Sequence, residues 1–163
     1  MATTIRQQLV TAVINRLKLI KTTNTYTLDY GETFQNYETN IGDSVDEWRA
    51  VDIDPKELPM LVVRDLDTEN DVSSDFTEKQ INWLLIVVEI VTSGNTAAVE
   101  LRKMLGDVNA AIRQDTTWGE LAITTNPQKE RFLIEQQSKR IAGGLIEFKV
   151  KYVSGRFNQY VTD

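Results

Sequence analysis

Asp65, Asp67, Glu69, Asp71 and Asp75, with Ser73 and Ser74 among them, are the densest group of side chains in this chain that could do chemistry. Paired carboxylates can split a glycosidic bond, one protonating the leaving oxygen while the other attacks or activates water. That division of labour needs apolar surroundings to raise one of the two pKa values, and these acids stand in a polar stretch. Their spacing also fails the calcium loop, which wants a glycine at its sixth position and a glutamate at its twelfth. The remaining readings are a solvated turn, an interaction loop or a weak divalent-cation site. The chain has neither histidine nor cysteine. A Ser-His-Asp or Cys-His site within the chain is therefore excluded, and so is a zinc site of the usual ligands. Neither common glycine-rich phosphate loop is present, and Gly143-Gly144 is too short to make one. Glu89 is the only acid in the apolar run 81–91; a lone glutamate there reads as an edge or partner-bound residue. No cofactor is expected.

The bases Lys129, Arg131, Lys139, Arg140, Lys149, Lys151 and Arg156 gather towards the C-terminus, among Glu130, Glu135 and Glu147. Few aromatics interleave with them, so they are poorly suited to stacking nucleic-acid bases. They read either as an ordinary solvated strand face or as the positive half of a contact between subunits. The negative half would be residues 29–78 of a neighbour, which hold fifteen acids and three bases, against nine acids and fifteen bases in the rest. Oppositely charged halves of a small subunit attract copies of it head to tail. Phe157 and Tyr160 add aromatic candidates for an interface. Trp83 reads as core; Trp118, on an expected loop, is either a lid on the core or an interface anchor.

These residues must be carried by a chain of 163 residues, a length at which one domain, 1–163, is the default and roughly 70% of the unfolded surface can be buried. The longest apolar run, Trp83–Val88, is far short of the ~20 residues of a membrane helix. No charged stretch precedes an apolar core at the N-terminus, so no signal peptide is expected. Thr4 and Gln7 resemble a capping box, and Ile5, Leu9, Val13 and Leu17 mark an amphipathic helix over about 4–20. Tyr26, Leu28 and Tyr30 suggest a short strand, 31–42 a loop, and 45–51 another strand. Met60–Val63 reads as a buried strand, followed by the acidic turn. Phe76–Val91 is apolar on both faces beyond residue 80, which predicts a central strand covered on both sides. At about 3.3 Å per residue it would span roughly 50 Å, more than a compact domain of this length is wide. Its outer half is expected to project as a hairpin arm or to bend at a bulge. Leu101, Met104, Leu105, Val108 and Ile112 predict a second amphipathic helix over about 96–113, with Gly106 inside for close packing. Residues 114–128 read as loop. Strands over about 130–140 and 145–153 are expected to join near Gly143-Gly144. The predicted class is α+β, a mostly antiparallel sheet packed with two amphipathic helices and carrying projecting β-hairpin arms.

This order of elements resembles the tail terminator (tail-tube completion) proteins of tailed bacteriophages. The likeness is carried by the helix Ile5–Ile20, by the strand Glu57-Leu58-Pro59-Met60-Leu61-Val62-Val63 leading into an acidic hairpin, and by the return strand Trp83–Val91 leading into the helix 96–113. A final strand, Ile146-Glu147-Phe148-Lys149-Val150-Lys151-Tyr152, precedes a short tail. The resemblance covers most of the chain; residues 22–57 depart from the family's pattern. It implies a homo-hexameric ring that caps the tail tube, stops its growth and meets the neck. Its partners would be itself, the tail tube protein and a head-neck connector protein, with DNA only as cargo through the lumen and no membrane. Its place would be the head-proximal end of the tail in the virion, and the host cytoplasm during assembly. The family brings no catalytic residues. A related reading is another head-tail adaptor or stopper. Readings of other classes are a carboxylate- or metal-dependent enzyme and a monomeric binding adaptor.

Overall fold

The computed structural model describes residues 3–28, 33–49, 55–71, 79–135 and 141–155. Helix α1 spans Ile5–Leu17. Thr4 caps it, its hydroxyl accepting from the Gln7 backbone N–H at 3.2 Å. The reciprocal half of a capping box does not form, because the Gln7 amide donates to Thr11 instead. Strands β1 (Thr25–Leu28) and β2 (Thr33–Asn36) pair as a small antiparallel ribbon, so part of the expected loop 31–42 is strand. Strand β3 (Val45–Glu47) leads to β4 (Met60–Asp71), β5 (Lys79–Ser93), helix α2 (Ala97–Arg113), β6 (Thr124–Glu135) and β7 (Ile141–Gly155). The main sheet has the order β3-β4-β5-β7-β6. Only the β3–β4 pairing is parallel. The class is α+β, with two helices and a mostly antiparallel sheet.

The strands alternate between two environments, as their pleat requires. One side of each strand meets the helices. Leu84, Ile86, Val88 and Ile90 of β5 and Ile146, Phe148, Val150 and Tyr152 of β7 pack there with Ile5, Leu9, Val13 and Leu17 of α1 and Leu101, Met104 and Val108 of α2. Trp118 belongs to this core. It is 2% exposed, stacks on Phe148 with ring centroids 6.2 Å apart, lies under the Arg16 guanidinium and donates its indole N–H to Thr125. Of its two readings, the core lid is the one observed.

Four expectations need correction. The acids Asp65–Asp71 are not a turn, because β4 runs through them in pairing with β5. Residues 114–128 are not all loop, since β6 begins at Thr124. Gly143-Gly144 do not make the last turn; both lie inside β7, paired with Val91 and Ile90. A Cβ on Gly144 would sit 3.3 Å from Leu101 of α2 and 3.2 Å from the Arg131 carbonyl, so close approach of helix to strand explains the glycine. Gly106 is the reverse case, since a Cβ there would meet nothing within 4 Å, and close packing does not account for it.

The irregularity in the long hairpin lies on β4, not on the strand 76–91 that was expected to bend. The β4–β5 register shifts between Asp65 and Thr68, a bulge that lets one long strand twist over its neighbour. The outer half of β5 is not a lone arm over the described residues, because β7 pairs with it as far as Lys79 opposite Gly155. The hairpin's tip, 72–78, lies outside the described residues.

Candidate assembly face

The strand β5 was expected to be covered on both sides; its second side is covered only in part, with Val87 and, on the same side of β4, Met60 and Val62 buried and the stretch 81–85 less so. Its odd residues Ile81, Trp83 and Leu85 point away from the helices and are only partly buried, whereas their even neighbours are buried. No described helix lies over that side of the sheet. Trp83 is thereby corrected from core to the open face. The alternation of β5 is as its sequence predicts, whereas what lies over its second face depends on elements distant in the chain.

Charged residues frame this apolar stripe. Register places Glu147, Lys149 and Lys151 of β7 opposite Val87, Leu85 and Trp83, on the open side. The Lys151 ammonium sits 5.2 Å from the centre of the Trp83 ring, within reach of cation–π attraction. Lys149 extends across Leu85 towards Glu69 of β4, at 3.8 Å. Glu69 is opposite Trp83 in register and 75% exposed, so this pair contributes little to stability. Arg64 of β4 pairs with Glu89 of β5, which makes Glu89 the partner-bound residue that its sequence suggested. At the β3 end, Arg49 bridges Asp46 and Glu57 at 3.0 and 2.5 Å and donates to the Met60 sulfur.

The sequence candidates thus divide. Asp67 lies on the bulge and is exposed; Glu69, Lys149 and Lys151 stand together on the open face. Asp71 lies at the end of β4 opposite Ile81. Asp75, Lys139, Arg140, Arg156, Phe157 and Tyr160 fall outside the described residues. Asp65 is different. It points to the helix side, opposite Ile86, with its side chain 16% exposed. Arg6 of α1 donates to one carboxylate oxygen at 2.5 Å and to the Leu66 carbonyl at 2.7 Å, and the Trp48 indole donates to the other oxygen at 2.6 Å. Burial acts to raise the Asp65 carboxyl, but the hydrogen bonds from Trp48 and Arg6 outweigh it and hold it below the ordinary carboxylate range. Asp65 therefore clamps α1 to the bulge and is occupied within the chain. Trp48 itself sits at φ 44°, a left-handed conformation that costs a non-glycine residue about 1–2 kcal/mol. Its indole bond to Asp65 and its backbone N–H to the Val63 carbonyl hold it there.

Two features escaped the sequence. Asp107 of α2 is 3% exposed and accepts from the Glu38 N–H, the Thr39 N–H and the Thr39 hydroxyl at 3.1, 2.8 and 2.7 Å. An acid on the buried side of a helix was its only signal. A groove of about 460 Å³ runs between α2 and the strands, lined by Tyr26, Gly106, Ala110, Pro127, Ile146 and Phe148 among others. Nothing in the sequence marked it.

Among the described residues no group of three carboxylates is placed to hold a metal ion, and no helix is long and apolar enough to cross a membrane. Scanned against protein-family models and against curated proteins, the chain matches none.

Proposed function

We propose that this chain is a structural subunit of a phage tail terminator. It forms a hexameric ring that caps the tail tube, ends its growth and presents its other side to the neck. Its work on this reading is binding, not catalysis. Its partners are copies of itself, the tail tube protein and a head-neck connector, with DNA passing through the lumen as cargo. The reading places it at the head-proximal end of the tail in the virion, after assembly in the host cytoplasm.

The observation that carries the reading is the open sheet face, where Ile81, Trp83 and Leu85 form an apolar stripe between rows of charge. Ile81, Trp83 and Leu85 stay only partly buried in mid-sheet, beside even-numbered neighbours that are fully buried. An interface needs this composition, an apolar centre with aromatics inside a charged rim. The resemblance in element order supplies the kind of assembly.

The test is negative-stain microscopy of the purified chain at low and moderate salt, with its mass measured in parallel. The expected result is six-fold rings with a central hole, weakening as salt rises. A monomer at both salts overturns self-assembly and leaves a monomeric adaptor as the reading.

A further inference from the structure

Resting on that reading, the geometry points to a specific contact between copies: the Lys129 and Arg131 patch on the β6 edge of one subunit docks against the acidic outer end of β4 in the next.

The argument begins with the sheet order, β3-β4-β5-β7-β6. β6 is terminal, so its outer edge has no neighbour among the described strands along Thr124–Glu135. At the other end β3 covers only Leu61–Val63 of β4, which leaves 64–71 of β4 without a neighbour among the described strands. Among the described strands the sheet therefore has two long unpaired edges on opposite sides, that of β4 touched by Arg6 at the Leu66 carbonyl. Part of each edge carries a patch of one sign beside the open face; β6 also holds Glu130, opposite Ile146 on its helix side, and Glu135 at its end, and the one base of outer β4, Arg64, is paired with Glu89. On β6 the patch is Lys129 and Arg131, opposite Glu147 and Leu145 in register, both exposed. On β4 it is Asp67 and Glu69, both exposed. Lys129, Arg131 and Asp67 take part in no ion pair among the described residues, and Glu69 has only the loose contact with Lys149. The fold thus sets Lys129 and Arg131 at one edge of the sheet and Asp67 and Glu69 at the other.

Both edges are also blunted against backbone pairing. β6 carries Pro127 and a register shift between Pro127 and Lys129; β4 carries the shift between Asp65 and Thr68. Proline and bulges are devices that stop strands from adding to an edge. The contact is therefore made by side chains and is sensitive to salt. Because the two patches differ, it is head-to-tail, and such contacts close into a ring or run on as a filament. The partner is a second copy of this chain.

Two variants test the contact, Lys129→Glu with Arg131→Glu, and Asp67→Lys with Glu69→Lys. All four side chains are exposed, and melting curves check that each variant folds. The readout is mass in solution at low salt. Each variant alone should lose the oligomer, since both of its patches then have the same sign. An equimolar mixture should regain it, because the reversed patch of one variant fits the reversed patch of the other and alternation closes in a ring of even number. Oligomers that persist in both folded variants, or a mixture that stays monomeric, overturn this contact while the ring reading stands. A wild-type chain that is monomeric at every salt overturns the contact and the self-assembly reading together.

Discussion

Asp65 shows how much a neighbour decides about a single residue. In the sequence it is the first of a row of acids; in the fold it faces the helices with Arg6 and Trp48 on its two oxygens, while Glu69 faces water. Its lowered pKa has a consequence for stability. A carboxyl with a lower pKa folded than unfolded stabilises the fold above its unfolded value, near 3.9, and that contribution is lost as pH falls through the folded value. Asp65→Asn should therefore flatten the loss of stability below about pH 4 and leave the neutral-pH slope unchanged, as checked by urea denaturation across pH. An acid limb identical to that of the wild type would mean that the clamp is not formed in solution. Asp107 was legible as an acid on a helix but not as the acceptor that ties 38–39 to α2, because its donors come from about 68 residues away.

The helices and strands were more legible than the turns between them. The four-residue spacing from Ile5 to Leu17 and the apolar set from Leu101 to Ile112 marked helices that end within a few residues of their predicted limits. Alternation in 145–153 marked β7, and the both-sided apolar pattern marked β5. Glycines misled, since a glycine pair reads as a turn unless one knows that Leu101 stands only 3.3 Å from where a Cβ on Gly144 would be. Gly106 offers a test at this scale. It is exposed inside α2, and a Cβ there would meet open space. Gly106→Ala should raise stability by about 0.5–1 kcal/mol through helix propensity alone, read as a higher melting temperature. A loss would show that the groove beside it needs the glycine.

For the whole molecule the question is which face is finished. Trp118 and Trp83 lie on opposite sides of the sheet, one under Arg16 and against Phe148, the other under Lys151 at the open face. Trp118→Ala should cost about 3–5 kcal/mol in chemical denaturation, as for a large side chain removed from a core. Trp83→Ala should cost the isolated chain only about 1 kcal/mol, because its surface is only partly withdrawn from water, and it should weaken the oligomer at low salt. Equal costs for the two would mean that the second face is covered after all.

The sequence by itself determined the α+β class, the helices, the alternation of the long strands and the sorting of charge. Each depends on residues close together in the chain, where helix and strand periods act. Only the tertiary structure decided that Asp65 is bound, that Trp83 is on the open face and Trp118 is not, and that Lys129 and Arg131 lie at one edge of the sheet and Asp67 and Glu69 towards the other. Those outcomes depend on strand order and register, which are set by contacts between residues distant in sequence.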